Sequence, residues 1–451
     1  MKAACLLLAL ALGGPLLVRA AEADEAERGR ALYQGWTPYA AGPAATPLRL
    51  APDLLACARC HGVHGEGGRE GGQVVPALRW SALTQPREGR PAFDGPDALV
   101  QALAQGRGRG GQALGAAMPR FTLTAQEATA LLAYLQRLGT DADQAPGVEP
   151  QVLHLGTIVP LSGPAAAAGS AIVAGLRAGI DQTNAQGGIH GRRISLHVRD
   201  ARQGAPAALR RLRAEQPVFA LVGGLWNESA EPMDATLAAA RVSHIGALVA
   251  REQPPRADAW SADLLAPLAE QRRGMVDALR DCAQGPRVAL SIGAARASAP
   301  DAAVPVRWIE ADARIDSSLV ALTEPAGCLA YSPAQGPAVQ RALSPGWSRT
   351  LVLPMPAELF AAPQAEGTLQ PWHRLGWTAA RLAVELLSRA GRQLHERDLL
   401  AQLGGMNEWE VAPGLTVHYG RVRRHGWDAG VLPLGVSTTA APARLAARVP
   451  Q

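Results

Sequence analysis

The chain has 451 residues, a formal net charge of +5 at pH 7 and 48% hydrophobic residues. This length predicts two or three domains. The positive charge does not indicate a nucleic-acid-binding protein, because Lys2 is the only lysine and the arginines are scattered among acidic residues rather than gathered in one stretch.

The first 20 residues have the pattern of a secretory signal peptide. Lys2 is followed by an apolar run over 3–18 and by small residues at Ala20 and Ala21. That run is too short to favour a membrane-spanning helix, and no later stretch is long and apolar enough to span. We therefore expect cleavage after Ala20 and a mature chain in the periplasm, with no membrane span.

The sequence Cys57-Ala58-Arg59-Cys60-His61 is the attachment pattern of a covalent haem c. On one helical turn the two thiols can reach the two haem vinyl groups, and the imidazole can turn towards the iron. A redox dithiol would need an adjoining βαβ pattern, and a zinc site would need a second ligand pair nearby. The motif therefore predicts one haem c, held covalently by Cys57 and Cys60 and ligated by His61.

The other face of such a haem needs a ligand as well. Met118 is the only methionine between Met1 and Met233, and His64 is too close to His61 in sequence to cross the ring. A core methionine is the alternative interpretation. Because a thioether ligand raises the reduction potential and leaves no open coordination position, Met118 as the second iron ligand predicts electron transfer rather than oxygen chemistry.

Two helices are expected to bracket this first domain. Residues 25–34 form the first helix, and Thr124 with Glu127 form a capping box at the start of the last one. Tyr134 on the last helix is expected to pack against the first helix near Gly29.

Together these features resemble a class I cytochrome c. The resemblance covers residues 21–140 and is carried by the first helix through Gly29 and Tyr33, the motif Cys57 to His61, Pro76, Met118-Pro119, and the last helix ending in Tyr134-Leu135. It implies an all-α domain with His61 and Met118 as iron ligands. The carbonyl of Pro76 is expected to accept a hydrogen bond from the His61 ring N–H, which would fix the imidazole.

After a linker at 141–150, strand and helix patterns alternate. The strands are expected at 153–159, 193–199, 219–223 and 244–249, and the helices at 170–184, 206–215 and 234–240. This alternation implies a parallel sheet flanked by helices, with ligands at the carboxyl ends of the strands.

The second part resembles the type I periplasmic binding proteins, in particular the leucine/isoleucine/valine-binding receptors of branched-chain amino acid ABC transporters. The matching stretches are 156–163, 184–192 and 221–224. The resemblance implies an α/β domain over 151–440 with two lobes that close on a ligand. Lobe 1 is expected at about 151–260, lobe 2 at about 261–370, and closing segments at 371–440.

Within this family the ligand lies against the loops that follow the strands. The corresponding residues here are Ser162, Gly163, Leu225, Trp226, Asn227, Ala247 and Leu248. Trp226 suggests an apolar or aromatic ligand, or a pocket partly filled by its own side chain. In lobe 2, Cys282 and Cys328 each precede a strand-like run. The sequence is equally compatible with a disulfide between them and with two buried free thiols.

No catalytic triad, metal-binding histidine cluster or phosphate loop rises above background, so the chain is not expected to be an enzyme. The first hypothesis is a periplasmic electron carrier whose binding domain serves docking or substrate sensing, with a quinoprotein dehydrogenase as one possible redox partner. The alternative is a substrate-binding receptor that delivers a small organic solute to a membrane permease, with the haem as accessory or redox sensor.

Overall fold

The computed structural model describes residues 25–40, 55–87, 89–140, 142–226, 228–283, 285–292, 305–311, 314–361 and 370–436. The chain forms two compact units, Met1–Gln144 and Ala145–Gln451. The expected signal peptide and Asn227 lie outside the described residues. Within the described residues, no helix combines the length and the apolarity needed to cross a membrane.

The first unit is mainly helical. Its helices are α1 at 25–33, α2 Cys57–His61, α3 Trp80–Thr84, α4 Gly95–Gln105 and α5 Ala125–Leu135. Strands β1 Gly68–Glu70 and β2 Gln73–Val75 form a small antiparallel hairpin that the sequence analysis did not include. Its two-residue turn is Gly71-Gly72, and both glycines have positive φ, which explains the glycine density there.

Helices α1 and α5 pack closely, as the sequence predicted. The Tyr33 and Tyr134 rings are 5.4 Å apart, and both side chains are fully buried. The capping box of α5 is present: the Thr124 N–H donates to Glu127 Oε2 at 2.8 Å, and the Glu127 N–H donates to Thr124 Oγ1 at 3.2 Å. The helices approach at Gly29, where a Cβ atom would lie 1.9 Å from the Ala130 carbonyl oxygen.

Replacing Gly29 with valine is expected to destabilise the first unit by about 3 kcal/mol or more, because the added side chain would overlap a backbone carbonyl that cannot rotate away. Chemical denaturation followed by circular dichroism measures the change. Gly68→Ala is the control, because a Cβ at Gly68 meets no atom within 4 Å. Equal stability of the two variants would contradict the close helix contact.

The second unit begins with a five-stranded parallel sheet in the order β4-β3-β5-β6-β7, which we call lobe 1. Its strands are β3 Val152–Val159, β4 Arg193–Asp200, β5 Ala220–Val222, β6 Ser243–Ala247 and β7 Ser261–Asp263. Its helices are α6 Ala166–Ala185, α7 Ala205–Glu215 and α8 Glu231–Ala240. The expected parallel sheet is therefore present, and β7 adds a short edge strand.

A second five-stranded sheet, which we call lobe 2, has the order β14-β11-β10-β8-β9. Its strands are β8 Arg287–Leu290, β9 Arg307–Ile309, β10 Cys328–Tyr331, β11 Ser348–Leu353 and β14 Gly430–Val436. Strand β14 is antiparallel to β11 and the others are parallel. Helices α9 Leu268–Arg280, α10 Ile315–Val320, α11 Gly336–Ala342 and α12 Ala357–Ala361 accompany this sheet.

The closing segments return to lobe 1. They are α13 Gln370–Ala390, α14 Asp398–Gln402 and the hairpin of β12 Trp409–Ala412 with β13 Leu415–Val417. Helix α13 lies tightly on α6, because a Cβ at Gly175 would be 1.9 Å from the His373 carbonyl oxygen. Lobe 1 is thus completed by residues more than 100 positions downstream of its last strand.

Lobe 2 contains a disulfide between Cys282 and Cys328, whose Cα atoms are 6.0 Å apart. Cys328 opens β10 and pairs with Arg287, the first residue of the neighbouring strand β8. Cys282 lies in the connection between α9 and β8. Of the two states that the sequence left open, the structure has the disulfide.

Candidate haem site and ligand cleft

Helix α2 carries the two cysteines that are predicted to attach haem, together with His61. Positions three and four apart on a helix share a face, so Cys57, Cys60 and His61 lie on the same side. Cys57 is buried and Cys60 is exposed, and neither forms a disulfide. Burial raises the pKa of the Cys57 thiol.

The imidazole of His61 is held in one orientation. Its side chain is 5% exposed, and the Nδ1–H donates to the Pro76 carbonyl oxygen at 2.8 Å, as expected from the sequence. This hydrogen bond leaves Nε2 unprotonated and able to bind a metal. Burial also lowers the pKa of His61, which favours the neutral ring that a metal ligand requires.

Met118 lies outside the buried apolar cluster of the first unit and is itself half-buried. Its N–H donates to the Gly115 carbonyl at 3.1 Å, and its own carbonyl accepts a hydrogen bond from Arg120. These contacts fix the backbone and leave the thioether out of the core packing. The side chain is thus free to serve as a ligand, which a core methionine would not be.

Tyr39 contacts both Cys57 on α2 and Phe121, which lies close to Met118 in sequence. The sequence did not predict a role for this tyrosine. Its hydroxyl is 3.6 Å from Cys57 Sγ, and its ring centroid is 4.7 Å from that of Phe121, three residues after Met118. No local motif marks this tyrosine, because both of its partners are distant in sequence.

The donor set fits a haem c. Two cysteines outside any disulfide lie on one helical turn, a neutral imidazole presents its Nε2, and a methionine lies outside the apolar core cluster. Soft sulfur and imidazole donors of this kind suit an iron porphyrin better than a hard cation such as magnesium.

The residues predicted to line the solute cleft do not share one environment. Ala247 and Leu248 are 0% and 1% exposed, and Trp226 is 5% exposed and stacks on His244 at 5.3 Å. The Trp226 side chain lies in the apolar cluster formed with α7 and α8. The ring of Trp226 therefore packs inside lobe 1 and is not exposed to a ligand in the cleft.

Three of the predicted cleft residues keep exposed surface: Ser162, Gly163 and Leu225. The hydroxyl of Ser162 donates to Asp200 Oδ2 at 2.8 Å, and the N–H of Leu161 donates to the other Asp200 oxygen at 3.0 Å. The hydroxyl is therefore engaged within lobe 1 rather than held free for a solute.

An ion pair joins the two lobes at the carboxyl ends of their strands. Arg272 on α9 is 5% exposed, pairs with Glu252 in the loop after β6, and donates to the Ile292 carbonyl at 3.1 Å. Another Arg272–Glu252 contact measures 3.1 Å. The sequence could not predict this pair, because Arg272 and Glu252 belong to different elements and no local sequence pattern links them.

A pocket of about 670 Å³ lies in lobe 1 beside α8, and among the described residues none of those predicted to line the cleft lines it. Two of its acidic side chains pair with arginines of the same lining. Arg251 holds Asp234 with contacts of 2.5 and 2.9 Å, and Arg256 holds Asp258 at 3.0 Å. The lining also contains Glu231, which accepts a hydrogen bond from Ser229, and Glu252, which pairs with Arg272 of α9.

His244 predicts a pH dependence of stability. Burial lowers its pKa to about 4, from 6.5 when unfolded. The folded state therefore binds fewer protons than the unfolded state in this pH range. The stability that His244 contributes to the free energy of unfolding is fully present above pH 6.5 and is lost as the pH falls towards 4. We expect a loss of about 3 kcal/mol over this range. Urea unfolding at several pH values measures it, and a His244→Gln variant with the wild-type pH dependence would contradict it.

Comparison with known proteins agrees with this architecture. Residues 26–139 match the cytochrome c family model, and residues 152–314 match the periplasmic binding protein family model. A search of curated proteins finds no match.

Solved structures resemble the second unit. A fatty acid ABC transporter substrate-binding protein from Thermomonospora curvata is 16% identical, with a TM-score of 0.51 over 67% of this chain and 95% of that chain. A substrate-binding periplasmic protein from Ralstonia solanacearum is 19% identical, with a TM-score of 0.49 over 63% of this chain and 98% of that chain. At these identities the similarity shows the fold alone. The chain therefore consists of a cytochrome c domain followed by an α/β periplasmic binding protein domain of type I.

Proposed function

We propose that this chain is a periplasmic mono-haem electron carrier, with a fused binding domain that serves docking or substrate sensing. The supporting observation is the His61 imidazole, which the Pro76 carbonyl orients on the same helix as two cysteines that form no disulfide. A haem c in this site supplies one-electron transfer.

The residues of the first unit have distinct roles in this proposal. Cys57 and Cys60 hold the porphyrin covalently, and His61 presents Nε2 to the iron while Pro76 keeps its ring from rotating. Met118 would supply a thioether to the haem iron, which would exclude external ligands and raise the reduction potential. None of these roles requires a substrate to be bound or transformed, which favours an electron carrier over an enzyme.

The binding domain is assigned to docking or sensing on the basis of its cleft. The side chains of Trp226, Ala247 and Leu248 are buried, and Glu252 with Arg272 bridges the lobes. A surface arranged in this way favours contact with a protein partner over capture of a solute. A periplasmic dehydrogenase, such as a quinoprotein, is the proposed electron donor.

A second candidate is a substrate-binding receptor of an ABC transporter, with a membrane permease as partner and the haem as redox sensor. It is favoured by the type I fold and by the likeness to a fatty acid transporter's binding protein. A small organic solute would then bind between the lobes and shift them.

Two measurements on the purified full-length holoprotein separate these functions. A carrier is reduced by its partner dehydrogenase whether or not a solute is present, and where its binding domain serves docking alone, solute libraries leave its melting temperature unchanged. A receptor is stabilised by one class of solute, since a ligand that binds only the folded state raises stability by mass action. Stabilisation by a solute with no reduction of the haem by a dehydrogenase would contradict the carrier proposal.

A further inference from the structure

His425 is a buried imidazole with unsatisfied nitrogens. It is 6% exposed, and within the described part of the chain neither ring nitrogen has a hydrogen-bond partner. Nevertheless, its Nε2 lies 3.1 Å from Oε1 of Glu270. Buried polar groups in proteins are normally hydrogen-bonded, and one that is not points to a water or ion between it and its neighbours.

A third ligating side chain completes the group. One ligand atom from each of Glu270, His425 and Asp428 lies within 4.8 Å of the other two. Glu270 belongs to the first turn of α9, and His425 and Asp428 flank the turn that leads into β14. Three donors from two separate segments thus converge on one point.

The backbone around His425 holds this arrangement in place. His425 forms a parallel bridge with Asp263 at the end of β7, where the Gly426 N–H donates to the Asp263 carbonyl at 3.0 Å. The Asp263 N–H in turn donates to the Arg424 carbonyl at 2.8 Å. The imidazole is therefore fixed by main-chain contacts to lobe 1 while it faces Glu270 of lobe 2.

The distances suit coordination. With metal–ligand bonds of about 2.0–2.2 Å, two donors lie about 2.9 Å apart at a right angle and about 3.4 Å apart in a tetrahedron. The observed 3.1 Å between His425 and Glu270 falls between these values. Asp428 is exposed and pairs with Arg423 at 2.9 Å, and an exposed ion pair of this kind is easily exchanged for a metal.

We propose that Glu270, His425 and Asp428 form a binding site for a divalent transition-metal ion of the Zn²⁺ type. Calcium and magnesium favour all-oxygen sites and copper(I) favours sulfur, whereas one imidazole with two carboxylates suits Zn²⁺. The ion would join α9 of lobe 2 to the segment that crosses from lobe 1, and water would complete its coordination.

Equilibrium dialysis of the chelator-treated, full-length holoprotein with radioactive Zn²⁺ tests this site. We expect one Zn²⁺ per chain in addition to the haem iron. Asp428→Asn and Glu270→Gln should each weaken binding by at least about tenfold. Asp316→Asn is the matched control, because Asp316 is also an exposed aspartate of lobe 2 paired with an arginine, Arg341 at 3.0 Å.

Two results would overturn the proposal: no Zn²⁺ retained by the wild type, or Zn²⁺ binding that neither ligand variant weakens relative to Asp316→Asn. Circular dichroism and the haem spectrum confirm that each variant is folded. Because the Asp428 side chain is 69% exposed, its variant decides the question even where Glu270→Gln disturbs α9.

Discussion

A variant in which alanine replaces both Cys57 and Cys60 is expected to carry no covalently bound haem. Each thiol forms one thioether bond in the proposed site, so removing both leaves only axial ligation, which extraction breaks. Each single variant keeps one possible thioether and should retain part of its haem. The haem content of purified periplasmic protein, measured before and after acid-acetone extraction and normalised to chain concentration, gives the result.

The chain supplies its own control for this experiment. Replacing Cys282 and Cys328 by alanine also removes two sulfur atoms, but these form the disulfide of lobe 2 in the other unit. That variant should keep one covalent haem per chain, although its binding domain should lose stability. Covalent haem in the Cys57/Cys60 variant, or equal loss in the control, would contradict the assignment.

Replacing Met118 with alanine is expected to open one coordination position and lower the reduction potential. A thioether favours the reduced iron, and axial ligands tune haem potentials over a range of about 0.8 V. We expect a fall on the order of 0.1 V or more, and binding of external ligands such as carbon monoxide that the wild type excludes. Potentiometric titration and ligand-binding spectra measure the two effects.

Met233→Leu is the matched control, because Met233 is a fully buried methionine of lobe 1 and leucine conserves its volume. That variant should keep the wild-type potential and remain closed to carbon monoxide. An unchanged potential together with a closed site in Met118→Ala would show that another residue fills this position.

Local patterns explain what the sequence could predict. The haem motif spans five residues, and the Thr124–Glu127 capping box spans four, so neighbours in sequence determine both. The alternation of strands and helices likewise predicts a parallel sheet, because two parallel strands need a crossover connection between them, usually a helix. The contact between His61 and Pro76 crosses 15 residues, and the resemblance to class I cytochromes c predicted it.

The cleft depends instead on tertiary packing. Trp226 follows a strand end, where the fold predicts exposure to ligand, yet its ring is buried against His244 and the helices beside it. The Glu252–Arg272 pair and the Glu270–His425 contact each join residues that are distant in sequence, and both depend on how the two lobes pack together. The sequence did not predict the short strand β7, because Ser261 and Asp263 are polar. Both side chains contact Arg251, which lies in the loop after β6.

The central claim is that one iron porphyrin is bonded covalently to this chain. Intact-mass spectrometry of the periplasmic protein after acid-acetone extraction tests it most directly. The account predicts a mass equal to the mature chain plus one haem, with the red colour retained in the protein pellet. A mass equal to the chain alone, or colour that passes entirely into the solvent, would contradict it.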